Sequence, residues 1–356
     1  MKVYFVLLLL SLGAVAFAQQ APPKIPYDSV PNFLKLPPDM YLGEATGVAV
    51  NSKGDVFVLS RGDTSGPAYG AEAAQLLEFG PDGKLIREIG KHLYAWSFAH
   101  SVRVDKHGDI WVVDKGSDMI VEFNPQGRVK MLFGRKKEAG DSGDVPWTRV
   151  QPPRPAVNGE FRQPTDVAWD SEGDIFISDG YINSRIAEYD KNGDWVRTWG
   201  KPGTGPGEFN TPHSIAVDAE DHIYVADRDN RRIQVFDRNG KFLRQIKINI
   251  PAPPDAQPWM GNRPGPNSSG AMQPGSPWTL CITPGPTQYI YTSDAFPGRI
   301  YKLTLSGKVV GMLGRTGRQP KEFGWIHELA CPSENVLYAA ELLNWRVQKL
   351  ILHPRH

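Results

Sequence analysis

The sequence predicts an all-β fold and, within that class, a six-bladed β-propeller. The first observation behind this prediction is an internal repeat, in which an apolar strand, a Gly-containing turn, an aromatic-rich strand, a charged turn and a third strand recur. The second is composition, because 36 Gly and 31 Pro supply turns while 12 Tyr, 15 Phe and 10 Trp favour strands. The copies begin at Thr46, His100, Thr165, His213, Trp278 and His327. Six such sheets are expected to close into a ring, which leaves no open sheet edges.

The residues before the first repeat are predicted to complete this ring. The last repeat lacks an outer strand, and residues 31–36 (PNFLKL) are expected to supply it. The predicted domains are therefore an N-terminal extension with the ring-closing strand over 19–44 and the propeller over 45–352. Residues 1–18 are typical of a secretory signal peptide, because Lys2 precedes an apolar run that ends in small residues around Ala18. We expect a soluble protein that is secreted or periplasmic.

The charge balance limits the classes of partner. The 40 Lys and Arg residues against 39 Asp and Glu give a net charge of +1, so no basic surface for nucleic acid or an anionic membrane is predicted. The expected partner is a small molecule or a peptide. Three insertions, at 72–76, 135–163 and 249–276, are long enough to line a binding face, although disordered connections are the alternative. A closed ring needs no second copy, so a monomer is expected.

Three histidines occupy one register position on alternate repeats. His100, His213 and His327 are separated by intervals of 113 and 114 residues. Every second blade of a six-bladed ring is about 120° from the next, so equivalent side chains on three such blades converge on the axis. Three imidazoles that leave one coordination position open are typical of a catalytic zinc site. Ordinary core or channel-lining histidines are the alternative interpretation.

Polar side chains follow the second strands of several repeats and should share one face of the ring. Arg61 and Arg228 have the same register, and Tyr181 lies near them. An arginine can bind a carboxylate with two hydrogen bonds, and a phenol beside cations and a metal can act as a base. A solvated rim of the propeller is the alternative for each of these residues.

Residues 161–246, which begin FRQPTDVAWDSEGDIFISDGYINSR, closely resemble the catalytic core of the peptidylglycine α-amidating lyase family, whose fold is an NHL-repeat β-propeller. The resemblance extends to FAHSVRVDKHGDIWVVD and GVAVNSKGDVFVLSRGD. It implies cleavage of the C–N bond of a peptidyl- or N-acyl-α-hydroxyglycine to an amide and glyoxylate. A separate hydroxylating monooxygenase would then be the partner that supplies the substrate.

The resemblance also implies roles for individual residues. His100, His213 and His327 would bind zinc, Tyr181 would be the catalytic base, and Arg61 and Arg228 would be the active-site arginines, with Arg61 holding the carboxylate. A calcium site would use the main-chain carbonyls of Val48 and Val102 together with Glu328, where the family has an aspartate. The cysteines of the family are replaced by Arg162, Ile182, Tyr224 and Val235.

The function of the chain and the state of its cysteines stay open at this stage. The chain could instead be an extracellular NHL-propeller that acts as a binding or scaffold module, or another metal-assisted enzyme such as a lactone hydrolase. The only cysteines are Cys281 and Cys331, which lie on inner strands of neighbouring blades. Their opposite strand parity permits a disulfide, and two buried thiols are the alternative.

Overall fold

A computed structural model describes residues 22–62, 74–136 and 149–354 of the chain. Within these residues, the strands form six four-stranded antiparallel sheets, and each inner strand contacts the inner strands of the blades beside it. The sixth blade packs against the first, so the predicted six-bladed propeller is confirmed. Helical structure in the described part of the chain is limited to one 3₁₀ turn, Gly270–Met272. The predicted signal peptide lies outside the described residues.

The strands are numbered in chain order, and each blade runs outward from the axis. Blades 1 to 3 consist of β2 (Ala45–Val50), β3 (Val56–Ser60), β4 (Gln75–Phe79) and β5 (Leu85–Ile89); β6 (Ala99–Val104), β7 (Ile110–Asp114), β8 (Met119–Phe123) and β9 (Val129–Phe133); and β10 (Asp166–Trp169), β11 (Ile175–Asp179), β12 (Arg185–Tyr189) and β13 (Trp195–Trp199). Blades 4 to 6 consist of β14 (Pro212–Val217), β15 (Ile223–Asp227), β16 (Arg232–Phe236) and β17 (Phe242–Ile246); β18 (Leu280–Ile282), β19 (Tyr289–Ser293), β20 (Ile300–Thr304) and β21 (Val309–Leu313); and β22 (Ile326–Ser333), β23 (Val336–Glu341), β24 (Arg346–Leu352) and β1 (Tyr27–Ser29).

The ring closes through β1, which pairs antiparallel with β24 and forms the outer strand of the sixth blade. The prediction that residues 31–36 form this strand is wrong. Asn32 has φ +45°, which places a turn directly after β1 and ends the strand pairing. The apolar side chains of the segment fill a groove instead, where Phe33 packs edge-on against the ring of Tyr338.

The core lies between the blades and follows the alternation of each strand. In β7, Ile110 and Val112 pack against the first blade, while Trp111 and Val113 pack against the third. All residues of this strand are buried, because both faces of the sheet are covered. Each fully buried side chain of this kind contributes about 1.5–3 kcal/mol, which makes the contacts between blades the main source of stability.

A disulfide also joins two blades. Cys281 in β18 and Cys331 in β22 are bonded to each other, so the fifth and sixth blades are covalently linked. This bond agrees with the strand parity of the two cysteines and replaces the alternative of two buried thiols. Over the described residues, no helix combines the length and hydrophobicity needed to cross a bilayer.

Candidate metal centre

The three histidines are each the extra residue of a β-bulge. Strand pairing skips His100 in β6, His213 in β14 and His327 in β22, because the residues on either side pair with consecutive residues of the neighbouring strand. A bulge turns its extra side chain out of the normal alternation, and such bulges are frequent beside active sites. The three imidazoles therefore meet, with ring centroids 4.5 to 4.9 Å apart.

Hydrogen bonds between neighbouring blades fix the orientation of every imidazole. Each Nδ1 lies within hydrogen-bond distance of a main-chain carbonyl of the next blade in chain order, and the sixth blade contacts the first. A carbonyl can only accept, so each Nδ1 carries the proton and each Nε2 keeps its lone pair. The Nδ1 to oxygen distances are 2.7 Å for His100 to Thr165, 2.6 Å for His213 to Trp278 and 2.7 Å for His327 to Thr46.

The three histidines are neutral at physiological pH. Burial lowers the pKa of each of them well below the ordinary value of 6.5, and neighbouring positive groups lower it further. Their candidate ligand atoms lie within 4.8 Å of one another. Neutral imidazole nitrogens with the opposite ring nitrogen held by a carbonyl are the donor set that zinc prefers. The residues present therefore fit a zinc ion.

Tyr181 adjoins this centre. It lies just after β11, and its hydroxyl oxygen is 3.2 Å from Nε2 of His100 and 3.1 Å from Nε2 of His213. Burial on its own would raise the pKa of Tyr181, but the positive charges of Arg228, Lys115 and Arg61 outweigh burial and leave that pKa below its usual value of 10. A phenol with a lowered pKa beside a metal-binding cluster can serve as a base.

Three cations lower the pKa of Tyr181, and the sequence predicted two of them. Each follows directly after the second strand of its blade: Arg61 after β3, Lys115 after β7 and Arg228 after β15. The guanidinium of Arg228 lies 5.5 Å from the Tyr181 ring centroid, and the ammonium of Lys115 lies 4.1 Å from it. The sequence analysis missed Lys115, although the register that selected Arg61 and Arg228 also selects it.

Two of the predicted insertions reach this face of the ring. Arg149 donates to the main-chain oxygen of Tyr181 at 2.8 Å, and Ser269 donates to the carboxylate of Asp229 at 2.7 Å. The described parts of 135–163 and 249–276 therefore border the site, whereas residues 72–73 and 137–148 lie outside the described residues.

One of the predicted calcium ligands, Glu328, faces a protein cation. One oxygen of Glu328 accepts the main-chain N–H groups of Val48 and Val102 at 3.0 and 3.1 Å, and the other lies 3.0 Å from Nε of Arg103. The same guanidinium makes two hydrogen bonds with Asp166, at 2.9 and 2.5 Å. Because the carboxylate already faces a fixed positive charge, Glu328 does not fit as a ligand of a calcium ion.

Close packing supports this network around the axis. A Cβ atom added to Gly47 would lie 2.6 Å from Glu328 and 2.8 Å from the Val102 nitrogen, so only glycine lets the three groups approach. Burial raises the pKa of Glu328 to about 8 despite the nearby charge of Arg103. The sequence analysis did not single out Arg103.

The fold and this centre define a six-bladed β-propeller with three buried histidines at its axis. A family model described as a 6-bladed beta-propeller matches residues 160–253. The chain is 32% identical over 236 residues to peptidylglycine alpha-amidating monooxygenase of Rattus norvegicus, which covers 59% of this chain and 22% of that protein. It is 26% identical over 280 residues to peptidyl-alpha-hydroxyglycine alpha-amidating lyase 1 of Drosophila melanogaster, which covers 76% of this chain and 47% of that protein.

The predicted resemblance to the amidating lyases is thus confirmed, and the chain spans less than half the length of these two relatives. A solved structure of streptogramin B lyase superposes with a TM-score of 0.56 at 13% identity and covers 92% of this chain and 98% of that one. At this identity, the similarity concerns the fold alone.

Proposed function

We propose that the chain is a zinc-dependent lyase that cleaves the C–N bond of a peptidyl- or N-acyl-α-hydroxyglycine to give an amide and glyoxylate. The observation that carries the proposal is a cluster of three neutral histidines, two of which contact the Tyr181 hydroxyl, together with three cations that lower the Tyr181 pKa. The similarity to amidating lyases supports the same reaction class.

The reaction removes one proton and delivers another. The α-hydroxyl loses its proton, its electron pair forms the carbonyl of glyoxylate, and the C–N bond breaks as the amide nitrogen gains a proton. A zinc ion held by His100, His213 and His327 would supply Lewis-acid stabilisation of the negative charge that develops on oxygen. The proton that the hydroxyl loses balances the proton that the amide nitrogen gains.

Tyr181 is the residue placed to accept the hydroxyl proton. Its oxygen lies within 3.2 Å of two histidine nitrogens, so a hydroxyl held by the three-histidine cluster also lies near the phenol. The positive charges of Arg228 and Arg61 favour the phenolate form and thereby increase the fraction of active base. Both arginines are held by rings, Arg61 by Phe98 and Arg228 by Trp278, so their charges stay in place.

The test is a glyoxylate assay on the purified protein loaded with zinc. N-benzoyl-α-hydroxyglycine should yield equal amounts of benzamide and glyoxylate, and His213→Ala should abolish turnover together with bound zinc. His222→Ala is the matched control, because His222 lies in a surface turn and contacts Asp218. If the wild-type protein binds one zinc ion and releases no glyoxylate above the uncatalysed rate, the lyase proposal fails.

We also propose that the protein is exported and works as a monomer with a separate monooxygenase that makes the hydroxyglycine. The signal-like residues 1–18 support export. N-terminal sequencing of protein recovered from outside the cytoplasm should begin at Gln19. A mature protein that keeps Met1 would contradict export.

A further inference from the structure

Lys115 is the cation whose charged group lies nearest to the ring centroid of Tyr181. Its ammonium lies 4.1 Å from that centroid and 4.8 Å from the ring centroid of Phe98. Among the residues that the structure describes, no carboxylate forms an ion pair with Lys115, and Asp118 acts on it only as a nearby charge. Its N–H donors therefore remain available to a ligand.

The two arginines differ from Lys115 in this respect. Nε of Arg61 lies 2.8 Å from Glu44, and both side chains are buried. Arg228 faces Asp229 at 3.6 Å. A guanidinium whose charge is already balanced by a carboxylate attracts a second anion less strongly than an unpaired ammonium does.

The surroundings of Lys115 also favour an incoming anion. Burial lowers the pKa of its ammonium, and the positive charges of Arg61 and Arg228 contribute in the same direction, whereas Tyr181 and Asp118 act in the opposite direction without outweighing them. A carboxylate placed between these cations would balance the excess charge and replace the water that the ammonium has lost. The position therefore has the character of an anion site in the unliganded protein.

We propose that Lys115 binds the α-carboxylate of the substrate while Tyr181 acts on the hydroxyl of the same carbon. The inference rests on the proposed function. In a hydroxyglycine, both groups are attached to one carbon atom, so the residue that binds the carboxylate must adjoin the residue that takes the hydroxyl proton. Lys115 adjoins Tyr181 and carries the unpaired charge. Lys115, rather than the Glu44-paired Arg61, then makes the site specific for a free carboxylate.

The experiment compares an acid with its neutral amide. Zinc-loaded wild type, Lys115→Met, Lys115→Arg and Lys136→Met are assayed with N-benzoyl-α-hydroxyglycine and with N-benzoyl-α-hydroxyglycinamide. Lys136→Met is the matched control, because its ammonium also lies over an aromatic ring, Tyr94 at 4.2 Å, away from Tyr181. Calorimetric binding of N-benzoylglycine and N-benzoylglycinamide, which lack the hydroxyl, provides a readout that needs no turnover.

Loss of one charge-assisted hydrogen bond should raise the KM of Lys115→Met for the acid about 10- to 100-fold. Because Lys115 also lowers the pKa of Tyr181, kcat should fall as well, and by the same factor for the acid and the amide. Lys115→Arg should recover most of the KM for the acid, and Lys136→Met should match the wild type. For the amide, the KM of Lys115→Met should equal that of the wild type. Should Lys115→Met fail to fold, Lys115→Gln takes its place as the charge-removing variant.

An unchanged KM for the acid would overturn the proposal. An equal rise in KM for the acid and the amide would also overturn it, since this result indicates only that Lys115 supports the Tyr181 ring. The binding measurements separate this outcome from failure of the lyase proposal. The wild type could release no glyoxylate and still bind N-benzoylglycine more tightly than its amide, with this preference lost in Lys115→Met. That result would refute the lyase reaction and support the carboxylate site.

Discussion

Replacing Arg103 tests whether its guanidinium supplies the positive charge that a calcium ion would otherwise supply at the axis of the ring. Its side chain lines the same small cavity as the three histidines, and its guanidinium contacts groups on the inner strands of four other blades. Asp166 belongs to blade 3, Ser214 to blade 4, the Leu280 carbonyl to blade 5 and Glu328 to blade 6. Glu328 in turn accepts an N–H from blade 1. One cation therefore connects all six blades.

The cost of Arg103→Met follows from the burial of its partners. The side chains of Asp166 and Glu328 are each 2% exposed, so without the guanidinium the Asp166 carboxylate and the Glu328 carboxyl group, whose pKa burial raises to about 8, remain buried without a positive partner. Breaking a buried pair in this way costs about 3–5 kcal/mol. With an unfolding entropy of about 2.1 cal/mol/K per residue, a chain of this size should lose about 4–7 °C in melting temperature. Methionine keeps most of the side-chain volume, which limits the contribution of a cavity.

The assay is thermal unfolding with and without added calcium. Arg315→Met is the matched control, because Arg315 is 78% exposed and pairs with Glu322, so its loss should cost at most about 1 kcal/mol. Elemental analysis of the wild type should find zinc without calcium. Arg103→Ala, which opens space beside two carboxylates, should gain stability from millimolar calcium, whereas the wild type should not. Calcium bound in stoichiometric amount to the wild type, or a melting temperature of Arg103→Met equal to that of the control, would refute the reasoning.

Four further predictions concern the centre and the disulfide. Tyr181→Phe should lower kcat at least about 100-fold without loss of zinc, and undiminished turnover would remove the base role. His213→Ala should abolish bound zinc by elemental analysis while His222→Ala keeps it; equal metal content in both would contradict the three-histidine site. Cys281→Ser should lower the free energy of unfolding by about 4 kcal/mol, since the bond closes a loop of 50 residues, and a denaturation midpoint equal to the oxidised wild type would contradict this. In metal-free protein, the histidine pKa values lie below 6.5, so the unfolded state binds protons first. The difference in stability between the wild type and His213→Ala, in which other titrating groups such as Glu328 cancel, should be constant above about pH 6.5 and fall below it, and a difference that stays the same from pH 8 to 5 would disagree.

The sequence predicted those features that repeat. The inner strands share one sequence pattern, so the sequence alone places His100, His213 and His327 at one register position. The same comparison selected Arg61 and Arg228 at the ends of second strands. Both sets depend on local periodicity, which a β-propeller converts directly into position around the axis.

The features that were missed depend on contacts rather than on periodicity. The closing strand β1 is three residues long and has no apolar alternation, so PNFLKL appeared the better candidate. The bulges that aim the histidines are properties of the backbone, and no residue type marks them. The pairing of Arg103 with Glu328 joins the second blade to the last, which only the closed ring brings together.

The alternation of histidines with main-chain carbonyls connects the chemistry to the closure of the ring. The six equivalent positions carry an imidazole on the even blades and the carbonyl that receives its Nδ1–H on the odd blades. The bond from His327 to Thr46 crosses the junction between the last blade and the first, which β1 holds closed from the outside. An open ring would release this imidazole, and its Nε2 would no longer face the other two. Metal affinity at the axis and strand pairing between β1 and β24 therefore both report whether the ring is closed.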